Sequence, residues 1–165
     1  MADIGTRVSG AVVNLFRGGQ GLPGTVSSLA LEAGVEATPF QIGQVIVSNV
    51  APELAEKASY ATYPVVHLYC QKVTNQLREK FRVFSGKVQM AAEARVSQSR
   101  IEGIETNSKV LSDAVTEVLD ASRGDWGNGM FFAGGYEILY GPVKQGGKNF
   151  IQITKIVFEV DVSTD

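Results

Sequence analysis

Catalysis by a serine or cysteine nucleophile requires an imidazole held beside it, and the 165-residue chain has one histidine, His67. His67 lies in the run VVHLYCQKV (65–73), whose β-branched and aromatic content predicts a strand. A packed, structurally satisfied imidazole is therefore the favoured reading. Cys70, the single cysteine, comes three residues later, on the opposite face of that strand. One His and one Cys so placed do not supply the three or four ligands of a zinc site. In an apolar run the thiol reads as a small hydrophobe. The pairs Glu102/Glu105 and Glu117/Asp120 have helical spacing, the usual pattern of a solvated helix face. Residues 19–24 (GQGLPG) match G-x-G-x-x-G, but that fingerprint holds a pyrophosphate only after a strand and at the start of a βαβ helix. Here a helical pattern precedes it and Pro23 removes a backbone donor, so it reads as a loop. The sequence predicts no catalytic, metal or cofactor site.

The elements around these residues follow from periodicity. Val88, Met90, Ala92, Ala94 and Val96 alternate with Lys87, Gln89, Glu93 and Arg95, the period of a half-buried strand. Beyond Ser97 the period changes. Ile101, Ile104, Ser108, Leu111, Val115, Val118 and Leu119 form one helical stripe, predicting a helix over about 100–121 capped by Ser97 or Ser99, with Gly103 inside it. Residues 65–73 are apolar on both faces for six positions and predict the middle strand of the sheet. Residues 41–48 predict another strand and 53–64 a loop. Residues 130–143 and 150–162 flank KQGGKN, predicting a hairpin whose loop exceeds two residues. Ile156, Phe158, Val160 and Val162 share a face opposite Lys155, Glu159 and Asp161, while Ile151 and Ile153 are out of phase, which predicts a bulge near Thr154 or Lys155. Asp3 caps a predicted helix over 3–17 carrying Ile4, Val8, Ala11, Val12 and Leu15 on one stripe, and Thr25 caps a short turn to Leu31.

The expectation is one α+β domain with a mixed or mostly antiparallel sheet flanked by helices and a long C-terminal β-hairpin. Residues 1–40 form an extended N-terminal helical arm with a Gly-rich loop, and 41–165 form the core. Hydrophobic residues make up 44% of the chain and charged residues 19%, enough for a core without metal or disulfide support. The net charge of −2, with no dense run of Lys and Arg, argues against tight, salt-dependent nucleic-acid binding. Asp3 and Arg7 interrupt what a signal peptide would need, and the lone cysteine fits a reducing cytoplasm, so a soluble protein is expected. Trp126, set among glycines beside Met130, Phe131 and Phe132, either closes the core or anchors an interface. Lys87, Gln89, Glu93, Arg95, Trp126, Lys144 and Lys148 make up the candidate subunit interface, a surface of both charge signs.

Tyr63-Pro64-Val65-Val66 leads one strand, FSGKV (84–88) enters the next, the helix runs to Leu119, and a terminal hairpin carries Tyr136 and Pro142-Val143. This series resembles the neck proteins of tailed bacteriophages, most of all the tail-terminator (tail-completion, head–tail joining) family. The resemblance covers about Gln41 to Val162 and includes the turn residues Gly86, Gly146 and Gly147. It implies a virion protein assembled in the host cytoplasm. Six copies would form a ring on the last tail-tube ring, facing the head connector or stopper protein, with a sheath as a further partner. Genomic DNA would pass through the channel without sequence-specific binding. The family offers no catalytic residues to carry over. Two other readings stand beside it: a head-side adaptor of the same particle in twelve copies, and a small ligand-binding or enzymatic domain. The latter would use a cavity between the helix over 100–121 and the sheet, with His67 or Tyr69 at its mouth.

Overall fold

The computed structural model describes residues 3–18, 20–34, 44–51 and 63–165. In chain order its elements are α1 (Ile4–Arg17), α2 (Leu22–Glu32), β1 (Val45–Val47), β2 (Val65–Asn75), β3 (Phe84–Gln98), α3 (Ile104–Ala121), β4 (Gly124–Gly127), β5 (Met130–Phe132), β6 (Tyr136–Tyr140), β7 (Lys144–Gly146) and β8 (Asn149–Thr164). This is the expected α+β fold. The strands form one mixed sheet of order β1-β2-β3-β8-β5-β4, with β6 and β7 also paired to β8. Among the described strands only β1 runs parallel to its neighbour; the remaining pairs are antiparallel.

The β3–β8 ladder is the spine of the sheet. It runs from Phe84 opposite Thr164 to Gln98 opposite Phe150 with no change of register. On one face Val88, Met90, Ala92 and Ala94 meet Ile156, Phe158 and Val160, all at most 1% exposed. α1 and α3 lie across this face. The α3 stripe Ile104, Ser108, Leu111, Val115, Val118 and Leu119 is buried as expected, whereas Ile101 lies before the helix and is half exposed. At Gly86 a Cβ would come within 1.9 Å of the Thr74 carbonyl oxygen, so the close approach of β2 to β3 requires glycine there.

Several expectations are corrected. The Asp3 side chain caps α1 by accepting from the Thr6 amide, but the helix is not an arm. Ile4, Val8, Val12 and Phe16 belong to the main core, and the Ser9 hydroxyl lies against the Met90 sulfur. The apolar stripe is matched to the β2 and β3 face, and burying it outweighs any freedom conferred by the glycines that follow. α2 begins at Leu22, ahead of Thr25, because Gly21 takes the cap and Pro23 fits the first turn. Leu22, Val26 and Ala30 are buried, so residues 3–34 are part of the domain except for Gly19, which is not described.

α3 starts at Ile104, four residues later than expected, because Gly103 adopts φ +81 and serves as the N-cap. Neither Ser97 nor Ser99 caps it; the Gln98 amide instead donates to the carbonyls of Arg100 and Glu102. β8 has no bulge near Thr154. The core row continues through polar residues: Thr154 hydrogen-bonds Ser108 at 3.2 Å, and Gln152 donates to the Gly141 carbonyl at 3.0 Å. The irregularity lies in β2, between Cys70 and Lys72. The 130–143 segment divides into β5 and β6, and Gly146 pairs with Asn149, which leaves a two-residue turn, Gly147-Lys148, closing the β7–β8 hairpin. β2 lies inside the sheet but next to the short β1, so the centre is β3–β8. Of the strand expected over 41–48, residues 45–47 form β1, 41–43 lie outside the described residues, and so does most of the expected 53–64 loop.

If α1 is core, Phe16→Ala should lower the unfolding free energy by about 3–5 kcal/mol in urea titration. A loss below about 1 kcal/mol would return α1 to the status of an arm.

Candidate functional site

In an antiparallel ladder, residues directly opposite each other point the same way. The second face of the sheet therefore carries Val65 with Arg95, His67 with Glu93 and Tyr69 with Ala91, joined from β8 by Ile153, Lys155 and Val157. This face is closed at one end and open at the other.

At the closed end Arg95 is 1% exposed and His67 4%. The Arg95 Nη2 donates to Glu93 Oε2 at 3.1 Å and to the Val50 carbonyl at 2.7 Å. Its Nε and Nη1, and the His67 Nδ1, have no hydrogen-bond partner among the described residues. Burial, reinforced by the Arg95 charge, lowers the His67 pKa, so its neutral form is favoured. Burial, with Glu93 close by, pushes Tyr69 up to about 12. The Lys155 ammonium lies 5.8 Å from the centre of the Tyr69 ring. Glu93 and Arg95, expected on an open interface, thus form an ion pair in which Arg95 is buried and Glu93 partly so. Alternation along β3 indicates which side they occupy, but the Val50 segment that covers Arg95 comes from far away in sequence.

At the open end Lys87 pairs with Glu159 at 2.9 Å. Lys87 and Gln89 border a shallow groove of ≈ 360 Å³ lined also by Tyr136, Glu137, Val157 and Asp161. Trp126 lies elsewhere. Its ring sits 5.6 Å from Phe132, which makes an edge contact with Phe158, and its Nε1 donates to the Ser122 carbonyl at 2.7 Å. It closes the core. Lys144 and Lys148 are exposed on the β7–β8 hairpin. Of the seven candidates, then, the structure brings together Lys87 and Gln89, and gathers around them Glu137, Glu159 and Asp161. Glu137 was not singled out in the sequence, because no period marks β6.

The alternative cavity under the helix does not involve His67 or Tyr69, since both project from the face opposite α3. The space beside α3 is ≈ 130 Å³, lined by Val26, Ala30, Tyr63, Val96 and Leu111 among others. Glu102, Glu105, Glu117 and Asp120 are exposed. The G-x-G-x-x-G segment is not all loop, since Leu22–Gly24 form the first turn of α2; a Cβ on Gly21 would lie 2.2 Å from the Phe16 carbonyl oxygen, so this glycine serves a tight helix–helix turn. Among the described residues no three His, Cys, Asp or Glu side chains converge on a position that could hold a metal ion. No helix among them is long and apolar enough to cross a membrane. No protein-family model matches the chain, and no curated protein is significantly similar to it.

Two measurements check the closed end. Arg95→Glu places two carboxylates where an ion pair is buried, and should lower stability by about 3–5 kcal/mol in urea titration; an exposed position would cost little. Neutral His67 is favoured in the folded state, whereas in the unfolded chain it takes up a proton near pH 6.5. Its contribution is complete above that value and is lost as the pH falls below it. Urea midpoints between about pH 7.5 and 5 should therefore fall more steeply for the wild type than for His67→Gln; parallel curves would show that His67 does not titrate differently on folding.

Proposed function

We propose that the chain is a non-enzymatic structural protein of a tailed-phage neck, forming a ring that ends the tail tube and joins it to the head connector around a DNA channel. The observation that carries this reading is the asymmetry of the sheet. One face is sealed by α1 and α3, while the other opens, at the Lys87 end, into a shallow surface of both charge signs. Such a surface suits a neighbouring protein better than an enclosed small ligand. The α+β fold, with its long C-terminal strand, agrees with what the tail-terminator resemblance implies. The net charge of −2 suits a channel lining that leaves DNA free to slide.

Electron-microscopy class averages of the purified protein, with mass analysis of virions, test the proposal. A six-fold ring present in the particle is expected. Twelve copies around the portal would favour the head-side adaptor, and a strictly monomeric protein absent from virions would overturn both.

A further inference from the structure

The connection from β2 to β3, residues 76–83 (QLREKFRV), is built to display what a loop would ordinarily hide. Asn75 fastens its base: its Oδ1 accepts from the amides of Leu77 and Ser85, and its Nδ2 donates to the Val83 carbonyl at 3.1 Å. The Glu79 amide donates to the Ser85 hydroxyl, and the Glu79 carboxylate accepts from the Ser163 hydroxyl and pairs with Arg82. Arg82 pairs in turn with Asp165. Within this frame Leu77 and Phe81 adopt φ +48 and +67, a region that L residues other than Asn and Asp rarely occupy. The frame thus holds Phe81 101% exposed, with Leu77 at 65% and Val83 at 54% beside it. Arg78 and Lys80 are exposed and, unlike Arg82, have no ion partner among the described residues. An aromatic side chain displayed on a braced loop between two unpaired cations has the composition of an interface anchor.

A matching receptor lies on the same chain. The groove on the open face has its apolar wall at Val157, beside Ala133, and a rim of three carboxylates, Glu137, Glu159 and Asp161, against one lysine, Lys87. Lys87 is already paired with Glu159, which leaves Glu137 and Asp161 for incoming cations. At ≈ 360 Å³ the groove exceeds the roughly 150 Å³ cavity known to take a benzene ring. We infer that the Phe81 loop of one copy seats in the β3–β8 groove of the next, with Phe81 against Val157, and Arg78 and Lys80 against Glu137 and Asp161. Knob and groove are different surfaces, so the contact is head-to-tail and can repeat around a closed ring. The inference rests on the ring reading and specifies its subunit contact.

Charge exchange tests it on the full-length chain. R78E/K80E gives an acidic knob and E137K/D161K a basic groove. In sedimentation velocity each variant alone should fall from ring mass to monomer mass, and F81S should weaken assembly at least tenfold. An equimolar mixture of the two charge variants should return to ring mass, because alternating copies restore every knob-to-groove match; this recovery also shows that both variants fold. A wild-type ring that survives in each variant, or a mixture that stays monomeric, overturns this contact and leaves the ring itself standing. A monomeric wild type overturns the ring reading too. Vesicles of phosphatidylglycerol that bind wild type but not R78E/K80E, with assembly unchanged, would assign the loop to a membrane surface and overturn the contact.

Discussion

The unbroken register of β3 against β8 is the constraint on which the rest of the structure depends. Side chains alternate along each strand, so pairing Val88 with Val160 and Ala92 with Ile156 also decides where every charged residue between them points. A slip of one residue would turn one strand's core row outward, either Val88 and Met90 of β3 or Ile156, Phe158 and Val160 of β8. Each such large side chain contributes about 1.5–3 kcal/mol when fully buried, so the slipped register is out of reach at ambient temperature. The same ladder positions the helices, since α1 and α3 pack on the row it creates. It also gives β8 a second edge long enough for β5, β6 and β7 to pair in succession.

Polar residues qualify this simple picture at both ends of the second half of the sheet. Thr154 and Gln152 take core positions that the hydrophobic pattern would assign to apolar residues; the Thr154 hydroxyl is bonded to Ser108, and the Gln152 amide nitrogen to Gly141. A bonded hydroxyl is nearly neutral in such a place, whereas a bulge would forfeit ladder bonds. Arg95 differs. Its charge is met by Glu93 and the Val50 carbonyl, two of its nitrogens have no partner among the described residues, and taking a guanidinium out of water offsets much of what its ion pair contributes. The closed end is therefore held by its geometry and by apolar packing around it more than by the ion pair.

Sequence patterning was enough to locate α1, β2, β3 and most of α3, because β3 carries a period of two, the helices a period of 3.6, and β2 a run apolar on both faces. It also separated the polar side of β3 from the apolar one. It could not show whether that polar side was covered, since the Val50 carbonyl that meets Arg95 comes from a segment 45 residues away. The glycines after α1 suggested a detached arm, although the stripe of Ile4, Val8 and Val12 already matched a core face. Gly103 read as a flaw inside a helix because left-handed capping leaves no mark on periodicity. The Phe81 loop carries no periodic mark for a related reason: its shape is imposed by Asn75, Ser85 and Ser163, which are scattered along the chain.

The loop and the groove nonetheless follow from the ladder. Phe84 and Thr164 end it at the side where the 76–83 loop is anchored, and Lys87 and Asp161 stand opposite each other three residues further in. The register that buries Val88 and Val160 therefore also sets Lys87, Glu159 and Asp161 in one row and fixes the distance from that row to the braced loop. A change to the core row that shifted the strands would displace knob and groove together. In the proposed ring every contact uses both, so an error in register would be repeated at each joint and would prevent closure. This gives a physical reason for the longest uninterrupted pairing to lie between the two surfaces of assembly, with the helices confined to the face that takes no part in it.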